Sequence, residues 1–310
     1  MRIGIGIGEV TGQPATLDNL IAQAQRAERE GFASGWVANV FGMDAMTAVA
    51  LLGRATTRIE LGTAVVPTYL RHPLAMAQQA LSTQAALNGR FSLGIGLSHQ
   101  VVVEGMFGLS FAKPFTHMKE YLAVLAPLIR SNTVSYAGSE FRVNANLNVP
   151  GATPCPILLA ALAPKMLALA GSVGDGTITW MTGPKTLREH TIPTISEAAA
   201  KAGRPAPRVV AGLPICVTED VHGARQVAGR GFEIYGMLPS YRAMLDREGA
   251  SGPADVAIVG NEDGVGEQLE RLAALGVSDF LAIPFAGGKD AAAAAERTRA
   301  LLVKVAARGC

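Results

Sequence analysis

The feature that most constrains this chain is an alternation kept up from end to end. A short apolar, β-branched run is followed by a turn of small or polar residues, then by a segment with apolar residues at helical spacing, eight times over. Its clearest instance is Arg58 to Ser98. Ile59 to Val66 reads as a strand that stops at Pro67, which has no N–H to give a sheet. Pro73 to Leu87 carries Leu74, Ala77, Leu81 and Ala85 at helical intervals, with Pro73 suited to a first turn. Asn88-Gly89 ends that helix, since both residues tolerate a left-handed backbone. Phe91 to Ile95 follows as a second strand and runs into Gly96-Leu97-Ser98. Two apolar runs joined by a covering helix predict a parallel βαβ unit. The chemistry of such a unit sits in the loops at the carboxyl ends of its strands, here Val65 to His72 and Gly96 to Gly105.

The same reading places further strands at Arg2 to Ile7, Ser34 to Ala38, Ile157 to Ala160, Thr177 to Trp180, Arg208 to Val217 and Asp279 to Phe285. Between them it places helices from Thr16 or Asp18 to Gly31, from Met43 to Ala55 with Asp44 at its positive end, and from Pro164 to Val173. Another helix runs from Gly183-Pro184 through Gly203, and a terminal one from Lys289 to Ala307. Pro114 to Ile129 has Met118, Leu122, Leu125 and Leu128 as its buried stripe. Thr133 to Tyr136 and Glu140 to Val143 form an appended hairpin around Ala137-Gly138-Ser139, and Asp220 to Gly276 holds two or three helices. Eight strands with no composition break predict that residues 1–310 form a single α/β domain. It is a (β/α)₈ TIM barrel with a small β-hairpin insertion and a longer helical insertion before the last strand. A doubly wound open sheet is the alternative, and eight strands favour closure.

Composition mainly excludes. A net charge of +2, from scattered Lys and Arg, argues against nucleic acid or an anionic membrane as partner. Cys155, Cys216 and Cys310 stand at unrelated spacings, with neither a disulfide framework nor a zinc pattern, which predicts a reducing, cytoplasmic setting. The start of the chain is strand-like, without the charged, apolar and small-residue regions of a signal peptide, and no apolar run is long enough to cross a bilayer. The carboxyl-end loops lack a carboxylate pair, a metal-ligand cluster and a nucleophile elbow. Gly94-Ile95-Gly96 does not complete a dinucleotide fingerprint, and Gly4 to Gly8 reads as room for close packing in strand one.

What the loops offer is apolar and small: Val65, Val66, Leu97, Val101 to Val103, Met106, Phe107, Trp180, Met181 and Phe285, with backbone amides at Ser98, Leu162, Ala163 and Thr182 to Gly183. A greasy, uncharged cavity with amides at one rim suits a large planar cofactor whose tail carries phosphate. Ala160-Ala161-Leu162-Ala163-Pro164 is the best phosphate cradle, because small side chains let the backbone approach and a helix begins there. Alanines at a strand end also serve tight packing alone, and the two readings stand level.

These residues resemble the bacterial luciferase-like monooxygenase superfamily, and within it the coenzyme F420-dependent oxidoreductases. The resemblance runs from Met1 to about Arg308, most recognisably in Gly62 to Gly96, Met106 to Ile129 and Leu158 to Trp180. It implies a deazaflavin or flavin across the carboxyl mouth of the barrel, with its phosphate against Ala161 to Pro164 beside Leu97 and Ser98. It also implies a non-prolyl cis peptide within Thr63 to Val66 (Thr63, Ala64, Val65), buttressing the ring. Asn39 matches a polar position at the ring's pyrimidine edge. The next family residue is often a His, where this chain has Val40. That departure argues against sugar-phosphate oxidation and for reduction of an activated alkene, imine or quinone-like acceptor by F420H2. An FMN-dependent two-component monooxygenase and a non-catalytic flavin- or deazaflavin-binding barrel are the alternatives. A homodimer through the helices after strands two and three is implied too.

Among single residues, His99 is the candidate proton donor or cofactor contact, set against a solvated loop histidine. His72 reads as structural, and His117, His190 and His222 as surface or internally satisfied. Trp180 and Met181 read as pocket lining or core, Glu9 as a lone carboxylate at the end of strand one, and Lys165 as a phosphate partner or a solvated helix lysine.

Overall fold

The computed structural model describes residues 1–8 and 15–308. Glu9 and Cys310, both singled out above, lie outside the described residues. Eight parallel strands close on themselves: β1 (Arg2–Ile7), β2 (Ser34–Val37), β3 (Glu60–Thr63), β4 (Phe91–Gly96), β5 (Ile157–Leu159), β6 (Gly176–Trp180), β7 (Arg208–Val217) and β8 (Asp279–Pro284). Closure is read from register: Val210 of β7 pairs with Asp279 of β8, which pairs in turn with Arg2 of β1, while Arg208 pairs with Gly176 of β6. The fold is the expected barrel.

Helices cover its outside because each buries one apolar stripe. Helix α1 (Leu17–Arg29) starts at Thr16, whose Oγ1 accepts from the Asn19 amide at 3.3 Å, and buries Leu20, Ala24 and Ala27. Helix α2 (Ala45–Arg54) starts at Asp44, whose Oδ1 accepts from the Thr47 amide at 2.9 Å. Helix α3 (Pro73–Ala86) buries Met76, Ala77, Ala80, Leu81, Thr83 and Gln84, a band rotated from the expected Leu74–Ala85 stripe. It packs on α2 and on α4 (Pro114–Ser131) as well as on the sheet, so its buried face is broader than one stripe. In α4, Met118, Leu122, Leu125 and Leu128 are buried as expected.

Four departures from the sequence reading have local causes. The run Ile59 to Val66 is not one strand. It breaks after Thr63 at a cis Ala64–Val65 peptide and touches β4 again only at Val66–Pro67. The second hairpin strand is Arg142–Asn146, two residues later than expected. The Glu120 carboxylate claims the amides of Ser139, Glu140 and Phe141 at 3.0, 2.8 and 3.1 Å, which lengthens the turn. Gln100–Gly105 is helical where a loop was expected. The interval before β8 holds helices Val221–Gly231, Glu233–Met237, Pro239–Glu248, Pro253–Val256 and Glu262–Ala274, plus a strand, Ile258–Gly260, beside the end of β7. No helix among the described residues is long and apolar enough to cross a membrane.

Strand parity sorts the barrel interior into layers. Trp36, Leu158, Ile178, Val210 and Leu281 fill the middle. Trp36 is 2% exposed and donates through Nε1 to Ser34 Oγ at 2.9 Å. Gly4 and Gly62 lie against its ring, where an added Cβ would strike Trp36 from either side. The Gly-x-Gly of strand one is therefore packing space, as read from the sequence.

Candidate active site

The amino ends of the strands are sealed by charge. Arg208 donates to both Asp279 oxygens at 2.8 and 2.7 Å and to Glu60 Oε1 at 2.6 Å, and Arg2 reaches Glu60 Oε2 at 2.6 Å. Ser92 Oγ donates to Glu60 Oε1 at 2.7 Å, and the Arg208 guanidinium lies 5.5 Å from the Trp36 ring centroid. Two carboxylates in contact with it push the Arg208 pKa upward despite burial. Every partner is accounted for within this end.

The carboxyl ends open instead into a cavity of about 2830 Å³. It is open because the inward residues nearest the top are small: Gly6, Ala64, Gly96 and Ala160. A Cβ on Gly96 would come within 2.8 Å of Val65 Cγ2 and 3.1 Å of Ala160 Cβ. A Cβ on Gly94 would land on the Thr63 carbonyl oxygen. The glycines of β4 thus house the Ala64–Val65 bulge, and Thr63 Oγ1 ties it down by donating to Gly94 O at 2.8 Å and accepting from Gly94 N at 2.9 Å.

Of the residues singled out from sequence, Asn39, Ala64, Val65, Leu97, Ser98, His99, Ala160, Leu162 and Ala163 line this one cavity. Thr63 and Ala161 do not; both are buried behind the lining at 0% exposure. Asn39 also braces its loop, its Oδ1 accepting from the Ala45 amide at 3.0 Å. Ser98 has φ +62 and Met181 φ +54, so two strand ends at the mouth hold non-glycine residues in the left-handed region. Met181 is core, whereas Trp180 lines the cavity.

The helices that follow β5 and β6 differ at their N-termini. The helix Pro164–Ser172 begins at Ala163 with no side-chain cap, leaving its first turn open to an anion beside the exposed Lys165. The short helix Pro184–Thr186 is already satisfied, because Glu248 accepts from the Lys185 and Thr186 amides at 3.0 and 2.7 Å. Thr182 and Gly183, offered by sequence as a second amide site, do not line the cavity, and the amides that follow them at Lys185 and Thr186 are held by the protein's own carboxylate.

One wall is aromatic, and sequence reasoning, which named His99, Trp180 and Phe285, missed Phe232, Tyr235 and Tyr241 in it. His99 lies 5.4 Å from Tyr241, Tyr241 5.3 Å from Tyr235, and Tyr235 5.6 Å from Trp180, centroid to centroid. Phe232 continues the row, 5.8 Å from Trp180 and 6.0 Å from Phe285. Burial lowers the His99 pKa and raises those of Tyr235 and Tyr241, so all three are neutral near pH 7. The other histidines keep structural company. His72 Nδ1 accepts from the Leu74 amide at 3.3 Å, His117 bonds Thr68 Oγ1 at 3.1 Å, and His190 meets Leu162 O at 2.7 Å. His222 pairs with Gln226 at 2.9 Å.

A family model described as luciferase-like monooxygenase matches residues 2–308. A putative coenzyme F420-dependent oxidoreductase of Mycobacterium tuberculosis is 30% identical over 83% of this chain and 76% of its own length. A 5,10-methylenetetrahydromethanopterin reductase of Archaeoglobus fulgidus is 31% identical over 75% and 70%. Among solved structures, the coenzyme F420-dependent tetrahydromethanopterin reductase of Methanopyrus kandleri superposes with a TM-score of 0.78 at 21% identity, covering 99% of this chain and 98% of that one.

Proposed function

The chain belongs to the luciferase-like monooxygenase family as an oxidoreductase, and from that premise we propose that it uses coenzyme F420 to reduce a small organic acceptor, an activated alkene, imine or quinone-like compound. The observation that carries the reading is the pairing of a large apolar mouth with the uncapped N-terminus of Pro164–Ser172 at its edge, beside Lys165. A flat ring with a phosphorylated tail needs that combination. The residues present fit the group: Ala160 and Gly96 leave the floor of the mouth bare, and Leu162 to Lys165 present backbone to a phosphate. Ala64, Val65 and Asn39 line the same mouth and would bear on the ring there.

When bound, the deazaflavin supplies a hydride. The chain's own residues hold, orient and exclude water. The apolar side chains of the mouth remove bulk solvent from the reacting face. No carboxylate or lysine stands among the aromatic wall residues, which favours neutral acceptors over sugar phosphates. His99, kept neutral by burial, lines the cavity beside Tyr241 and is the candidate to supply a proton there. The reading extends, from the resemblance, to a cytoplasmic homodimer, which gel filtration tests.

The decisive measurement is titration of the purified protein with F420 and with FMN, following quenching of cofactor fluorescence. Micromolar F420 binding with weaker FMN binding is expected. FMN binding without F420 binding transfers the chain to the two-component monooxygenase reading. F420 binding with no turnover across enones, imines, quinones and nitro compounds transfers it to the carrier reading.

A further inference from the structure

The two sides of the mouth are chemically unlike. On the side of the first four strands the rim carries exposed hydrocarbon: Val40, Phe41, Leu70 and Val101 line the cavity and are 67%, 64%, 52% and 66% exposed. On the other side, the row from His99 to Phe285 mixes rings with polar tips. Tyr235 and Tyr241 come from helices Glu233–Met237 and Pro239–Glu248, which lie over the barrel rather than in it. Neither phenol donates a hydrogen bond to an acceptor among the described residues. Trp180 Nε1 is buried without a well-formed hydrogen bond, with the Tyr235 hydroxyl beside it. Only the Trp180 nitrogen is fully buried; the two phenols open onto the cavity, where a donor with no acceptor in its own fold is free to serve a ligand.

We propose that Tyr235 and Tyr241 form the acceptor subsite of this cavity, and that it takes an uncharged planar molecule bearing a carbonyl oxygen, which receives the hydrogen bonds these phenols have to give. This rests on the reading of the mouth as a reductase site, and it names the substrate class that the reading leaves open. The plane of the molecule lies between the hydrocarbon rim and the rings of Trp180 and Tyr235. Its oxygen points to the lid helices. An anionic acceptor is disfavoured there, because these donors are neutral phenols in apolar surroundings and no cation stands in the row. His99 packs against Tyr241 and fixes its ring.

The chain has a built-in reporter. It contains two tryptophans, of which Trp36 is sealed in the barrel middle at 2% exposure and Trp180 stands on the subsite wall. The test titrates the whole protein with acetophenone, ethylbenzene and 4-acetylbenzoate, reading tryptophan quenching, with W180F as the control that removes the signal. The expected result is that acetophenone binds at least about fivefold tighter than its oxygen-free analogue, the worth of one net hydrogen bond, and about tenfold tighter than the carboxylate. Y235F/Y241F should bind acetophenone and ethylbenzene alike, with circular dichroism unchanged. The single variants, Y235F and Y241F, each lose part of the preference, and they carry the test should the double variant misfold. Equal affinity for ketone and hydrocarbon in the wild type overturns the proposal, as does a preference that survives both substitutions. F420 titration on the same samples separates the two claims. Absent F420 binding with the ketone preference intact would sink the reductase reading alone.

Discussion

The two ends of this barrel are built from the same strands, yet they solve opposite problems. At the amino end, Arg208, Asp279, Glu60, Arg2 and Ser92 form a closed set in which each charge is matched within the set. At the carboxyl end the inward positions shrink to Gly6, Ala64, Gly96 and Ala160, and donors at Ala163, Tyr235 and Tyr241 are left for something outside the chain. The lesson is that stability and binding are separated along the strand direction. Substitutions at the floor should cost folding and spare binding, and those at the mouth should do the reverse.

The sharpest way to break this division is Arg208→Leu. Removing the guanidinium leaves the Asp279 carboxylate, whose side chain is 2% exposed, with Ser278 Oγ at 3.0 Å and Arg2 at 3.5 Å, and the expected loss is about 3 kcal/mol in chemical denaturation. The surviving folded fraction should bind cofactor with an unchanged dissociation constant. A stability loss below 1 kcal/mol would remove the floor from the argument. Next comes the neighbouring pair Ala161→Asp and Ala160→Asp. The first buries a carboxylate at a 0%-exposed position and should destabilise by about 3 kcal/mol. The second faces the exposed cradle, should leave the melting temperature unchanged, and should weaken cofactor binding by about tenfold or more through like-charge repulsion. Reversed outcomes would mean that the cradle faces the other way. Gly94→Ala should fall between the classes. Its Cβ would displace the Thr63 carbonyl and with it the Ala64–Val65 ledge, costing about 1–3 kcal/mol and reducing cofactor affinity together.

The smallest effect is set by acid. Burial holds the His117 pKa down at about 4, against an ordinary value of 6.5, while its ring bonds Thr68 and stacks on Tyr69 beside the loop that carries Val65. The unfolded chain therefore takes up the proton first, and stability falls as pH drops through the window from 6.5 to 4. The melting temperature should fall by roughly 2–4 °C over that window. Faster amide exchange at Thr68 to Arg71 should accompany it, and His117→Asn should flatten the slope. An identical slope in that variant would assign the acid sensitivity elsewhere.

Much of the architecture was legible because it rests on local pattern. Arg2–Ile7 and Arg208–Val217 are strands over the residues their apolar runs mark, and Thr16 and Asp44 cap the helices they precede. Legibility ends where a distant residue intervenes. The apolar pattern of Ile59 to Val66 gives no sign of a break at Ala64, where only the resemblance implied a cis peptide; Thr63 holds it by bonding across to Gly94. The hairpin strand shifts because Glu120, from another element, claims its turn amides. The site divides in the same way. The alanine-rich cradle was visible as a segment, but which alanine faces the mouth depends on strand parity at β5. Phe232, Tyr235 and Tyr241 were invisible, since they sit in a helix-rich interval with no periodic link to the strand ends. They become neighbours of Trp180 only once the barrel closes and the Glu248 carboxylate fastens its helix to Lys185 and Thr186. A signal was present in hindsight: three aromatic residues within ten positions, in a run that also holds Ile234, Met237 and Leu238.

That Glu248 clasp has an evolutionary corollary. It makes the roof a cassette, joined to the scaffold at a few points and exchangeable as a unit, while the seat for the phosphorylated ring stays on the barrel itself. A lineage could diversify what it reduces by rewriting residues 233–248 and never touch the machinery that holds its electron source.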